Sequence, residues 1–258
     1  VPTLQNHHIG IHYEVHGTGY PVLMLHGATV TFRANYGACG WVTALNEAGF
    51  QVIGLDFRGH GKSDKPHDSA AYGTAMLASD ALAVLDHLGI AQAAVVGYSM
   101  GTVVALHLLH QQCGQPQRFT RAALLATGDG LIGLGAHTFA QTMPALAPVL
   151  ERTEFPQDLP RHLSAYWSFV AATGGDAVAL RALALSDFPA LAATEAARIT
   201  VPTLVLSGEN DLVLGQGPRL AAALGNGQYH EQAGADHFSI AAEDSVKTEV
   251  LRFLSSPA

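Results

Sequence analysis

Cysteine, positive charge and long apolar runs are all scarce in this sequence. Cys39 and Cys113 are its two cysteines, far apart and in no metal-like spacing. They exclude a disulfide framework and a cysteine metal cluster, and both read as free thiols. Thirteen Lys and Arg stand against twenty-one Asp and Glu, a net charge of −8, and no basic cluster occurs. Nucleic acid and anionic membrane are therefore excluded as partners, since either calls for clustered cations. No apolar stretch approaches the roughly 18 residues of a membrane-spanning helix. Internal repeats and low-complexity tracts are missing as well. Nothing at the start resembles a signal peptide. With the chain beginning at Val1, the expected compartment is cytoplasmic by default, and a removed leader is compatible with that expectation.

What is present is apolar mass. The 258 residues are 48% hydrophobic and 13% charged, enough for a sizeable core in one large α/β domain or two small ones. Residues 7–15, H-H-I-G-I-H-Y-E-V, alternate roughly in period two, as a half-exposed antiparallel pair does. His7, His8, His12 and His16 cluster there, but without the carboxylate or cysteine pattern of a metal site, so no metal is expected. No cofactor is expected either.

Short, nearly continuous apolar runs follow at 21–27, 51–57, 93–99, 122–128 and 202–208, each ended by Gly or a polar residue. Such runs suit parallel strands covered on both faces. Helical patterns alternate with them. In 75–88, Leu77, Ala81, Val84, Leu85 and Leu88 form one stripe. In the last stretch Val246, Val250, Phe253 and Leu254 do the same, with Asp244 or Ser245 placed to cap its start. This alternation predicts a doubly wound, mostly parallel sheet.

Residues 129–196 break the rhythm. They hold no strand-like run, only helical patches rich in Ala, Leu and aromatics, punctuated by Pro144, Pro148, Pro156, Pro160, Gly174–Gly175 and Pro189. A stretch this long is too much for a plain loop and predicts a separate helical layer. Because ligands of open α/β sheets bind beyond the carboxyl ends of the strands, this layer is placed as a lid. The predicted division is thus a core of 1–128 and 197–258 with a helical cap over 129–196.

G-Y-S-M-G (97–101) fits the G-x-S-x-G turn between a strand and a helix. Such a turn projects the Ser99 hydroxyl from the sheet edge, its glycines relieving crowding, and the helix start turns the Met100 N–H toward developing negative charge. The competing reading is a glycine-rich turn with an incidental serine. A serine needs a base, and His237, in Q-A-G-A-D-H-F-S after the expected strand at 228–232, is placed to be one. The base needs an acid to fix its tautomer. Asp211, in S-G-E-N-D-L-V, lies just past the strand at 202–208, with Asp129 and Asp236 as rivals. H-G-A-T (26–29) follows the first long strand, and the Ala28 N–H is paired there with that of Met100 as an oxyanion hole, worth roughly 3 kcal/mol or more per donor. His26 reads as a hydrogen-bonded structural residue.

The segments L-H-G-A (25–28), D-F-R-G-H-G-K-S-D-K-P (56–66), V-G-Y-S-M-G (96–101), G-E-N-D (208–211) and G-A-D-H-F (234–238) run in an order that strongly resembles the α/β-hydrolase superfamily. The likeness covers nearly the whole chain, and R-G-H-G-x-S is its most specific marker. The resemblance implies an eight-stranded, mostly parallel sheet with an inserted helical lid. It also implies Ser99 as nucleophile, His237 as base and Asp211 as acid, and gives Arg58 and His60 a structural loop without chemistry. Relatives with aspartate at the nucleophile position, the haloalkane dehalogenases and epoxide hydrolases, are disfavoured by serine at 99. A-T-V-T-F-R-A-N-Y-G-A-C-G-W (28–41) is longer and more polar than the compact loop of many relatives.

The expected activity is hydrolysis of a small-molecule carboxylic ester through an acyl-enzyme, rising from about pH 6 toward pH 8 as the base is freed of its proton. Thr29, Phe139, Met143, Tyr166, Trp167, Phe169, Phe188 and Phe238 are the expected apolar lining, although at helical spacing such residues also serve as core. Lactone opening, carbon–carbon bond hydrolysis, perhydrolysis and cofactor-free oxygenation use the same triad. A receptor with a weak or silent triad is the rival from a different class. The protein is expected as a monomer or homodimer.

Overall fold

The computed structural model describes residues 2–134, 138–155 and 157–256. The amino-terminal run is split. β1 (Thr3–Asn6) and β2 (Ile9–His16) form an antiparallel pair, and His7 and His8, both at positive φ, make the turn between them. β3 (Tyr20–Leu25) is followed by α1 (Trp41–Glu47), β4 (Phe50–Leu55), α2 (Thr74–His87), β5 (Ala93–Tyr98) and α3 (Met100–Gln111). β6 (Phe119–Leu125) begins and ends about three residues earlier than its apolar run suggests.

Eight strands form one sheet. After β7 (Thr203–Gly208), α8 (Pro218–Ala223) leads to β8 (Gly227–Gln232), and α9 (Asp244–Ser255) closes the chain. The strand order is β1-β2-β4-β3-β5-β6-β7-β8, antiparallel at β1/β2 and β2/β4 and parallel from β4 onward. Alternate residues sort to the two faces as the pleat requires. Val22, Met24, Val96 and Leu206 pack with Trp41 and Leu45 of α1 and with Val246, Val250 and Phe253 of α9. Leu23, Leu25, Val95 and Val205 face the other way, toward Leu77 and Val84 of α2 and Val104 and Leu108 of α3. The sheet is therefore covered on both sides, and its central strands have no wet face.

The α9 boundary differs by one residue from expectation. Glu243 is the N-cap and its side chain makes no capping bond, while Asp244 sits in the first turn. There its charge still complements the amino-terminal end of the helix.

Among the described residues the insertion holds four α-helices: α4 (Phe139–Leu150), α5 (Arg161–Thr173), α6 (Ala177–Ala184) and α7 (Ala193–Ala196). Thr138 and Gln141 form a capping box at the start of α4. Pro144 and Pro148, read from sequence as breaks, lie inside α4. Both are exposed, so the carbonyls that lose a partner are left on the solvent side, where water takes them. Gly174, in the left-handed region at φ 65, ends α5, and the Asp176 carboxylate caps α6. Met143, Leu146, Leu180 and Leu183 join the α2/α3 side of the core. Pro156 lies outside the described residues.

Candidate active site

The carboxyl ends of β3, β5 and β7 and the loop after β8 place the polar residues singled out in the sequence together. β5 is wholly buried and ends at Tyr98. The chain then turns through Ser99 at φ 51, ψ −115, and enters α3. That conformation is disfavoured for a side-chain-bearing residue, and the surroundings hold it. The Ser99 N–H donates to the Leu125 carbonyl at 2.9 Å, and both the N–H and the hydroxyl of Thr102 donate to the Ser99 carbonyl. The two glycines follow from the same crowding. A Cβ on Gly101 would stand 2.0 Å from the Leu25 carbonyl oxygen, and one on Gly97 would stand 2.6 Å from that of Gly101.

Ser99, His237 and Asp211 are buried and hydrogen-bonded in series. His237 Nε2 lies 3.0 Å from Ser99 Oγ, and Nδ1 lies 2.8 Å from Asp211 Oδ2. A carboxylate can only accept, so Nδ1 carries the proton and the Nε2 lone pair faces the serine hydroxyl. The second Asp211 oxygen accepts the N–H groups of Val213 at 2.8 Å and Leu214 at 3.0 Å. Burial pushes the Asp211 carboxyl up, but His237 and these two N–H groups outweigh it and hold it below its ordinary value. The Tyr98 hydroxyl donates to the His237 carbonyl and anchors the loop that carries the imidazole.

The rival acids are engaged elsewhere. Asp129 Oδ1 accepts the N–H groups of Arg219 and Leu220, both at 2.9 Å, and so closes the first turn of α8. Asp236 Oδ1 accepts those of Phe238 and Ser239 in its own turn.

In the H-G-A-T loop, the Gly27 N–H donates to Asn35 Oδ1 at 3.0 Å and the Thr29 N–H to His60 Nε2 at 3.1 Å. Among the described residues the Ala28 N–H between them makes no hydrogen bond. The Met100 N–H is the first of α3, where an amide has no partner within its own helix. His26 mirrors His60. Its Nδ1 donates to the Gly27 carbonyl at 2.7 Å, and its Nε2 accepts the Phe57 N–H at 3.0 Å. Both imidazoles are neutral. Burial lowers them, to about 3 for His60, where the neighbouring His26 adds to the effect.

His60 and Asn35 were not singled out as site residues from sequence. A histidine in a loop about thirty residues downstream gives no local sign that it will accept a loop amide. Arg58 takes no part in the site. It forms a buried bidentate pair with Asp80 at 2.6 and 2.7 Å and donates to the Ala71 carbonyl.

A cavity of about 150 Å³ opens at Ser99, and Ala28, Tyr98, His237, Tyr166 and Phe238 are part of its wall. Tyr166 reaches it from α5. Its buried hydroxyl is within hydrogen-bonding reach of Ser99, burial pushes that phenol up, and its ring meets Phe238 edge-on at 5.7 Å. Other expected lining residues are placed differently. Phe139 and Phe188 pack edge to face at 5.2 Å, and both join Met143 in the α2/α3 side of the core. Trp167 turns to Phe155 and donates from its indole N–H to the Arg152 carbonyl. Thr29 is buried at φ 63 beside the cavity rather than in its wall. The Phe169 side chain lies outside the described residues. Phe139, Met143 and Phe188 share one reason: α4 and the segment after α6 spend their aromatic and aliphatic side chains on covering the sheet.

His12 and His16 gather around Glu14 at 3.3 and 3.0 Å, as does Arg33 at 2.6 Å. Among the described residues no three His, Cys, Asp or Glu side chains converge in a way that would hold a metal ion, and no helix is long and apolar enough to cross a membrane.

Residues 20–196 match the family model described as the alpha/beta hydrolase fold. This chain belongs to that family. The AB hydrolase superfamily protein YisY of Bacillus subtilis is 32% identical over 108 residues, which cover 42% of this chain and only 38% of YisY. Solved structures align over almost the full length of both chains. Est816, described as an N-acyl homoserine lactone degrading enzyme, is 26% identical with a TM-score of 0.73, covering 97% of this chain and 99% of its own. The enol-lactonase of Burkholderia xenovorans is 27% identical with a TM-score of 0.69, covering 99% and 100%.

Proposed function

We propose that this hydrolase cleaves small carboxylic esters through an acyl-enzyme on Ser99. The observation that carries the reading is the unbroken hydrogen-bonded series Ser99–His237–Asp211, ending in a small cavity. Ser99 Oγ attacks the ester carbonyl while His237 Nε2 takes its proton, and Asp211 stabilises the imidazolium. The Ala28 and Met100 amides receive the charge that develops on the carbonyl oxygen. The imidazolium then protonates the leaving alkoxide. Water repeats the sequence on the acyl-enzyme and returns the serine. Residues 129–196 act as the lid over this site, with Tyr166 as its contribution to the cavity wall. A volume of about 150 Å³ favours a short acyl group.

Lactones are the second reading, favoured by the two full-length structural relatives whose names carry lactone degradation and enol-lactone hydrolysis. The chemistry at Ser99 is the same, and only the tether between acyl and alcohol portions differs. The test is turnover of p-nitrophenyl acetate and butyrate beside a panel of simple lactones, with Ser99→Ala as control. Loss of at least a thousandfold in the variant supports the assignment. Equal turnover by the two proteins removes Ser99 from the mechanism.

A further inference from the structure

A second cleft runs along α3, and Ser99 is not part of its wall. Its volume is about 280 Å³, and His107, His110, Thr74 and Glu195 are in its wall beside aliphatic side chains such as Val103 and Leu106. Val103, Leu106, His107 and His110 follow the i, i+3, i+4, i+7 spacing and so share one face of α3. Three polar atoms in this wall, Thr74 Oγ1, His107 Nε2 and His110 Nε2, are buried and find no hydrogen-bond partner among the described residues. Buried polar atoms without partners are costly, and native structures pair nearly all of them. Convergent polar groups in an otherwise aliphatic concavity are the general mark of a small-molecule site.

The chemistry of the wall selects the occupant. Among the described residues no Lys or Arg lines the cleft, and Glu195 brings a carboxylate to it, so an anionic head meets repulsion and no counter-charge. A metal ion finds two imidazoles and the Glu195 carboxylate in the wall, but among the described residues no three such side chains converge in a way that would hold one, short of what a stable zinc-type site requires. Burial and the neighbouring His110 lower His107, which keeps that imidazole neutral. A neutral imidazole offers one donor and one acceptor nitrogen, and the Thr74 hydroxyl offers both functions. An uncharged hydroxyl, which donates once and accepts twice, complements this set.

We propose that this cleft is a second binding site for a short-chain aliphatic alcohol, its hydroxyl on Thr74, His107 and His110 and its alkyl chain against Val103 and Leu106. The position gives the site consequence. Leu131 and Leu191 also belong to the wall, and the Leu191 N–H donates to the Leu131 carbonyl at 2.9 Å. That bond joins the two passes by which the chain leaves the core for the inserted helices and returns. The Thr74 N–H adds a bond to Asp187 on the returning pass. An occupant therefore touches the root of the insertion, and the inference stands apart from the chemistry at Ser99.

The test is titration of the full chain with butan-1-ol, followed by the side-chain 1H–15N resonances of the histidines, with butyrate and butylamine as comparators. Saturable shifts at His107 and His110 with a common Kd on the order of 1 mM are expected, and neither charged comparator should saturate at the same concentrations. Thr74→Val, nearly isosteric, should weaken butanol binding at least threefold without moving the thermal transition. Shifts confined to His237 would place the alcohol in the Ser99 cavity alone and overturn the proposal. So would no saturation at His107 and His110, tighter binding of either charged comparator, or unaltered binding by a folded Thr74→Val variant.

Discussion

Replacing Asp211 by asparagine separates tautomer control from packing. The carboxylate is held from both sides, with one oxygen on the Val213 and Leu214 amides and the other on His237 Nδ1. Asparagine keeps one oxygen and turns the other into an NH₂ group. Leaving its oxygen on the two backbone N–H groups aims the NH₂ at Nδ1, which must then accept. The proton moves to Nε2, where it faces Ser99 and removes the lone pair the serine needs. Turning the amide the other way restores His237 but sets a donor against two buried backbone donors. At about 1–3 kcal/mol for each lost bond, that orientation costs about 2–6 kcal/mol. With about 1.36 kcal/mol per factor of ten, kcat should fall by roughly 30-fold to 2 × 10⁴-fold. The same tautomer inversion in a serine protease has an effect on the order of 10⁴. The assay is kcat for p-nitrophenyl acetate at neutral pH, with thermal unfolding followed in parallel. Loss of activity with a thermal transition within a few degrees of the parent is the expected pair of results. A folded Asp211→Asn protein with kcat within threefold of the parent would refute the reasoning.

Gly101→Ala should destabilise the protein by about 3 kcal/mol or more or leave it insoluble, since the new Cβ would stand 2.0 Å from the Leu25 carbonyl oxygen and both elements are rigid; denaturant unfolding measures it. Glu14 is pushed up by burial but held down to about 2 by Arg33, His12 and His16. A carboxylate lowered in the fold stabilises above its unfolded pKa and loses that contribution as pH falls through its folded value. Thermal stability of the parent should therefore fall between about pH 4.5 and pH 2, and Glu14→Gln should flatten that limb. His26 and His60 are lowered as well, so the unfolded chain binds their protons first and stability should already decline as pH drops below about 6.5 toward 3. Circular dichroism melts of His60→Asn, which offers one acceptor but no titration, should show a shallower decline over that range.

The strands were legible in the sequence because short apolar runs ending in Gly are what a strand buried on both faces requires. Ser99 and Asp211 could be selected because each stands at or just past the end of such a run, and His237 because it follows the expected last strand at 228–232. Their distances from one another could not, since these depend on how strands far apart in sequence are ordered in the sheet. The lining was the least legible part. Phe139, Met143 and Phe188 have the same apolar character as Tyr166 and Phe238, and only packing separates core from cavity wall. Pro144 and Pro148 misled for a related reason, because a proline breaks a helix far less readily on its exposed face. The amino-terminal histidines carried no sign that two would form a turn and two would bracket a carboxylate.

The paired imidazoles behind the H-G-A-T loop bear on how this scaffold can be altered. His26 grips an amide of the loop after β4, while His60, from that loop, grips an amide of the loop after β3. Neither loop is a separable part. A graft of residues 26–35 alone would strip the Phe57 N–H of its His26 acceptor, and a graft of 56–63 alone would strip the Thr29 N–H of its His60 acceptor. In library design the two stretches therefore form one unit of inheritance, to be exchanged or diversified together, while the cavity wall contributed by α5 is free to vary independently.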